Sequence, residues 1–314
     1  MLVEARKRFF MRHQLRLRAY RKNGEPLRLF RDDDTIDLYT VVKAAVAAGR
    51  AELVLKQKDI VTLTKVTYVE ERKMVVLLFR RSDPDASPPV FEHVRTKKLR
   101  KSDKRGDEGM AVSAHVFIRT SSISDAATPT YHAIVEEMPG LGRTYMEKLL
   151  SEIVSAHTYS YTDRHGEEKQ THTLLELLGL KAESLGNAMR ESTVQNITLV
   201  RPGSLAGLDT EGMAVPRDQR MKVLLRATPE KTIDVLKKII PWAKQNNWKD
   251  ILVRVDMPEE RSRVVSVARS ADASDVLFVR SEQVTVVKDL DLCTDDCNPQ
   301  LVEEAEKIFL RERL

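Results

Sequence analysis

The chain has 314 residues, 42% hydrophobic, 32% charged and 5% aromatic, with 12 Gly and 12 Pro, which excludes a collagen-like chain, a coiled-coil rod and a mostly disordered polypeptide. No run reaches the roughly 18 to 20 consecutive apolar residues of a membrane-spanning helix, and the charged opening MLVEARKRFF lacks a signal peptide's apolar stretch, so the expected location is cytoplasmic. The net charge is +5, and two cysteines, Cys293 and Cys297, are too few for a disulfide framework or a cysteine-only zinc site.

The first elements read as a sheet with helices packed on it. Residues 14–20 alternate apolar with charged side chains, which predicts a strand with Leu15, Leu17 and Ala19 inward and Arg16 and Arg18 outward on a ribbed basic face. After a turn at Asn23-Gly24-Glu25-Pro26, Leu38, Val41, Val42, Ala45 and Val46 recur at helical spacing, with Thr35 or Asp34 as cap and Gly49 at the end. Strands at 51–55, 60–69 and 74–79 form an antiparallel meander, the last two joined by Glu70-Glu71-Arg72-Lys73. A Pro- and Asp-rich loop at 82–89 leads to Arg95, Lys97, Lys98, Arg100, Lys101, Lys104 and Arg105, expected as an exposed, mobile basic loop. A strand at 111–119 follows, then helices at 131–138 and 144–154 joined by Pro139-Gly140-Leu141-Gly142. The second helix gathers Met146, Leu149, Leu150, Ile153 and Val154 on one side.

The polar stretch 159–170 suggests a domain boundary near His157. Beyond it come a short helical stretch at 174–178, a Gly-rich passage at 201–212 and a strand at 222–226. A helix then starts at Thr228-Pro229-Glu230 with Ile233, Leu236 and Ile240 on one face, and strands follow at 251–255, 264–267, 276–279 and 284–287. A last helix runs over 301–310 after Asn298-Pro299. The expected fold class is α+β: an antiparallel sheet with packed helices over 1–157, joined by the C-terminal helix 299–314, plus a second, smaller α+β domain over 158–298.

Chemistry is sparse. Two cation clusters, ten Lys and Arg within 1–31 and the run at 95–105, suit a polyphosphate, because each neutralised phosphate releases counterions without reading sequence; a solvated surface is the plainer alternative. Met138-Pro139-Gly140-Leu141-Gly142-Arg143 resembles the helix-hairpin-helix DNA-binding motif, in which a helix N-terminus offers backbone donors to a phosphate. Bulky Met146 stands where that motif usually has a small residue, and a plain helix-to-helix connection, with Gly needed only for positive φ, is the preferred explanation of the glycines. The expected phosphate contacts are Arg16, Arg18, Lys97, Lys98, Arg100, Lys101 and Arg143.

No phosphate-binding loop, nucleophile elbow, zinc-protease pair or dinucleotide fingerprint is present. Glu71-Arg72-Lys73 echoes the E-x-K element of metal-dependent nucleases with Asp59 upstream, yet a whole strand separates the two carboxylates. Asp32-Asp33-Asp34 and the acids from Asp289 to Asp296 could hold a divalent cation, but helix capping and turn formation explain Asp runs at element boundaries more often. Cys293 and Cys297 read as reduced thiols in a polar turn, and His115 as a packed strand residue. The expectation is therefore no catalytic residue, no metal and no cofactor.

Taken in order, the elements resemble the RexA-like phage-exclusion family of lambdoid phages. The likeness lies in the basic strand 15–20, the Asn23-Gly24 turn, the helix 35–49, the meander 51–79 and the strand 112–119. It continues in Met146-Glu147-Lys148-Leu149-Leu150, the segment 221–255 and the closing Asn298-Pro299-Gln300-Leu301-Val302-Glu303-Glu304-Ala305; the stretch 158–212 departs from the pattern most. The resemblance implies an intracellular sensor that binds double-stranded DNA without strong sequence preference, acts as a homodimer and works beside a separate membrane effector. The competing class is a metal-dependent nuclease of a phage-defence system.

Overall fold

The computed structural model describes the chain apart from residues 1–2, 32–35, 56–57, 125–127, 181–182, 185–192, 204–216, 226–228, 257–261, 268–276, 279–280 and 312–314. Its contacts divide it into two compact units, Met1–Gly179 with Ser281–Leu314, and Leu180–Arg280. The first unit carries β1 (Lys7–Ala19), α1 (Leu38–Ala47), β2 (Glu52–Val54), β3 (Ile60–Val69), β4 (Met74–Asp83), β5 (Val90–Glu92), β6 (Leu99–Lys101), β7 (Met110–Ser124), β8 (Thr130–Glu136), α2 (Arg143–Ser155), β9 (Thr158–Thr162) and β10 (Glu168–Gly179). The second unit carries β11 (Glu183–Ser184), β12 (Thr193–Pro202), β13 (Asp218–Leu224), α3 (Pro229–Gln245), β14 (Asp250–Asp256), β15 (Ser262–Val267) and β16 (Leu277–Phe278). The chain then returns to the first unit as β17 (Ser281–Thr285) and α4 (Pro299–Arg311). Strand outweighs helix, and among the described residues no helix is long and apolar enough to cross a membrane.

The first unit is built on one antiparallel sheet in the order β2-β3-β4-β7-β8-β1-β10-β9, with β17 also paired to β1. Strand β4 explains the layering. Met74 to Phe79 are all buried: Val75, Leu77 and Phe79 meet the core under α1 and α2, while Met74 and Val76 meet the core under α4. A strand covered on both faces loses the polar alternation of a half-exposed one. Helix α1 is capped by Asp37, whose Oδ1 accepts from the Thr40 N–H at 2.7 Å while Oδ2 accepts from the Arg31 N–H at 2.9 Å. Such a cap contributes about 1 kcal/mol; the expected caps Asp34 and Thr35 lie outside the described residues. Gly49, at φ 66°, ends this helix as its pattern required. Helix α4 begins with Pro299 at its first position and Asn298 Oδ1 accepting from the Gln300 N–H, and buries Leu301, Val302, Ala305, Ile308 and Phe309.

Several expected elements are corrected. Residues 131–138, read as a helix, contain β8, with Tyr131, Ala133 and Val135 in one core and Ile134 in the other. Apolar residues on both faces of a short strand mimic a buried helix turn. Residues 174–178 belong to β10, whose period-2 burial includes Thr171 and Thr173 as well as Leu175 and Leu177. The boundary expected near His157 lies instead at 179/180, because β9 and β10 add to the first sheet through the Leu15↔Leu177 register. Residues 281–285 likewise pair with β1, so of the expected 158–298 stretch only 180–280 falls in the second compact unit.

The second unit has an antiparallel sheet in the order β13-β12-β14-β15, with Leu236, Ile240 and Ala243 of α3 and Trp248 packed on Val194, Ile197, Leu199, Ile251, Val253 and Val255. Strand β12 has no sequence-based counterpart, because a bulge between Val194 and Asn196 breaks its alternation. Thr228, expected at the helix start, lies outside the described residues.

Candidate nucleic-acid interface

The basic segment 95–105 is not a bare loop. Its centre is the β5–β6 ribbon, with Val90 opposite Lys101, Phe91 opposite Arg100 and Glu92 opposite Leu99. The tip closes through Lys97 N–H to His93 O at 2.8 Å and His93 N–H to Lys98 O at 2.9 Å, with Lys97 in the left-handed region at φ 56°. The Arg100 guanidinium lies 4.8 Å from the Phe91 ring centroid, and Lys97 Nζ is 3.2 Å from Glu92. Lys104 is tied to the root of the ribbon through the carbonyls of Pro84 and Ala86. Arg95, Lys98 and Lys101 are exposed and have no ion-pair partner among the described residues. Val90, Phe91, Val94 and Leu99 are 50–81% exposed beside them. A lone two-stranded ribbon is marginal in water, and one that exposes this much apolar surface among cations suits a covering anionic partner.

Arg16 and Arg18 point away from the α1/α2 core, as expected, Arg16 half-buried and Arg18 exposed. They do not form an uninterrupted basic face. Glu176 of β10 sits directly opposite Arg16, with carboxylate oxygens 3.9 Å from Arg16 and 3.0 Å from Arg18. These arginines level with Thr130 at the start of β8, whereas the ribbon emerges between Asp83 and Met110 at the other end of β4 and β7. At the usual strand rise the two groups are roughly 40 Å apart along the sheet.

Arg143 is drawn inward. Its Nη1 donates to Leu177 O and lies 3.4 Å from Glu147, while Glu147 Oε1 accepts from the Leu177 N–H at 3.1 Å and Ser151 Oγ donates to Leu175 O at 3.1 Å. Three side chains one helical turn apart thus satisfy the edge of β10 beyond the reach of β9. The helix-hairpin-helix reading fails on the same ground: β8 stands where the first helix is needed, and Met146 is fully buried without disturbing α2. The structure therefore brings Lys97, Lys98, Arg100 and Lys101 together, and leaves Arg16, Arg18 and Arg143 elsewhere.

Carboxylates have structural partners. Asp59 receives Arg81 Nε at 2.9 Å on both oxygens and Nη2 at 2.6 Å, while Arg81 Nη1 donates to Gly140 O at 2.6 Å. The adjacent carboxylate raises the guanidinium pKa still further. Glu71 lies in the 3-10 turn past the far end of β3, so the two acids of the nuclease reading are a strand length apart. Asp289, Asp295 and Asp296 pair with Arg6, Arg80 and Lys65. Among the described residues no three His, Cys, Asp or Glu side chains gather as a cation site; Asp32, Asp33 and Asp34 lie outside them. Cys293 and Cys297 are free thiols.

The densest polar cluster was not anticipated. Arg8 and Glu136, each 2% exposed, pair at 3.1 Å, and Glu136 Oε2 also accepts from the His115 N–H at 3.0 Å and from Nδ1 at 2.6 Å. His115 Nε2 accepts from the Asn298 N–H, which places the ring proton on Nδ1. Arg8 further donates to the carbonyls of Leu290 and Asp291, and Ser113 receives the Thr294 N–H. A cavity of about 50 Å³ adjoins these groups. The cluster ties the β17–α4 connection to the sheet, and its lone cue was a polar or charged residue at core parity in β1, β7 and β8. Family models, curated proteins and solved structures offer no match to the chain.

Proposed function

We propose that this protein binds double-stranded nucleic acid without sequence preference, through the β5–β6 ribbon. The observation that carries the reading is an exposed two-stranded ribbon with Arg95, Lys98 and Lys101 unpaired by acid and Phe91 and Val94 uncovered. A two-stranded ribbon fits the major groove, and Lys and Arg on it meet phosphates on either wall. The contact is electrostatic, and the role read here is that of a binder without chemistry or a cofactor of its own. The resemblance to RexA-like proteins supports the rest of the reading: a cytoplasmic homodimeric sensor in phage exclusion, a separate membrane effector, and a smaller α+β domain formed by the second unit.

The test is a titration of a fluorescent duplex at several salt concentrations. Arg95→Ala with Lys98→Ala and Lys101→Ala is expected to lower the slope of log affinity against log salt by about 0.9 for each lost contact, up to roughly 2.7, for all sequences alike. Lys97→Ala and Arg100→Ala extend the series. An unchanged slope in both sets would overturn the ribbon as the nucleic-acid site.

A further inference from the structure

The edge of the main sheet at β9 points to a second copy of this chain. Asp163 N–H bonds Glu167 O in the turn that joins β9 to β10, and the register continues through Tyr161↔Lys169 and Tyr159↔Thr171. The backbone groups of Tyr159 and Tyr161 are therefore turned inward to β10, and those of Thr158, Ser160 and Thr162 are turned outward. The Tyr20 N–H to His172 O bond gives the same parity from the other side of β10. Among the described residues β9 has β10 as its one strand partner.

Sheet edges in native proteins are blunted by charge, proline, bulges or a covering element. The neighbouring stretch of β10 is blunted in this way, by Arg143, Glu147 and Ser151 of α2. Strand β9, Thr158-Tyr159-Ser160-Tyr161-Thr162, has no charge, no proline and no bulge. We infer that β9 pairs antiparallel with β9 of a second copy about a two-fold axis at Ser160, joining the two sheets edge to edge. This names the surface that would join the homodimer proposed above, and it does not rest on the nucleic-acid reading.

The register follows from the outward groups. Ser160 meets the partner's Ser160, and Thr158 meets the partner's Thr162, as hydrogen-bonded pairs. Tyr159 then meets the partner's Tyr161 as a close pair without hydrogen bonds, where side chains approach most. Aromatic pairs and Thr pairs are the favoured cross-strand combinations, and an uncharged strand meets its own copy without repulsion. An unrelated peptide needs none of this self-matching, whereas a two-fold copy uses all of it.

Sedimentation equilibrium of the full chain without nucleic acid tests the pairing. Ser160→Pro removes one outward N–H and leaves the β9–β10 bonds intact, since proline suits an edge position whose N–H faces away. It is expected to weaken the dimer at least tenfold. Thr158→Lys with Thr162→Lys sets like charges opposite each other and is expected to do the same, while Thr158→Lys with Thr162→Glu restores association. Circular dichroism checks that each variant is folded. A wild-type chain that stays monomeric at about 100 µM, a dimer indifferent to both disrupting variants, or a failure of the charge-swapped pair to recover would each overturn the proposal.

Discussion

Replacing Glu136 by Gln perturbs one atom position at a buried ion pair of the first unit, and its cost follows from the partners. Glu136 and Arg8 are each 2% exposed, and removing the charge of one member of such a pair costs about 3–5 kcal/mol. Arg8 keeps backbone acceptors at Glu4, Lys7, Leu290 and Asp291, so its guanidinium remains hydrogen-bonded and the low end, about 3 kcal/mol, applies. The amide oxygen can still accept from His115, but the amide NH₂ then faces Arg8, donor against donor. With a urea slope of about 2–3 kcal/mol/M, the unfolding midpoint of this unit should fall by roughly 1–1.5 M. Both tryptophans, Trp242 and Trp248, lie in the second unit, so their fluorescence reports that unit while far-ultraviolet circular dichroism weighs the larger sheet. The dichroism transition should move and the fluorescence transition should stay. Adding Arg8→Met should recover part of the loss, with a coupling of roughly 0.5–3 kcal/mol. A dichroism midpoint displaced by less than about 0.3 M would refute the reasoning.

Arg143→Ala is expected to leave the salt dependence of duplex binding unchanged while destabilising the first unit by about 1 kcal/mol through the exposed edge of β10; a lowered salt slope would return Arg143 to the phosphate contacts. Burial holds the Cys297 thiol above its ordinary pKa, outweighing the hydrogen bond from Thr67 and the nearby Lys65, so its thiolate is scarce at neutral pH. Peptide-resolved alkylation at about pH 8 should be slower for Cys297 than for a free thiol and should accelerate on unfolding; equal rates would contradict the burial.

What the sequence shows of the fold depends on whether one face or two is covered. Helices α1 and α2 were legible because each packs a single stripe, and β3 and β4 because Glu70 to Lys73 break them at a compact turn. Strand β8 was not, because Ile134 and Val135 serve opposite cores and the period disappears. Strand β10 hid behind threonines: Thr171 and Thr173 are buried where a hydrophobic scale expects a polar surface, Thr173 accepting from the Leu27 N–H at 2.8 Å. The first compact unit runs past His157 to Gly179 for the same reason. A polar hairpin such as 158–170 looks like a linker until its register with a distant strand is known, and that register is nonlocal information.

The candidate site was legible where charge is local and illegible where an acid arrives from another element. Lys98, Lys101 and Arg95 keep the exposure their surroundings suggest, since the ribbon brings little else near them. Arg16 and Arg18 look equally free along β1, yet β10 places Glu176 beside both, and only the pairing Arg16↔Glu176 reveals it. Arg143 looks like an anion donor at a helix start, but its Nη1 and the Glu147 carboxylate are both spent on the Leu177 backbone. A cation run therefore argues for a polyanion only after each side chain has been checked for an acid or a carbonyl supplied across the sheet. By that criterion the ribbon stays in the argument, and the β1 arginines enter it only if a duplex competes with Glu176 for them.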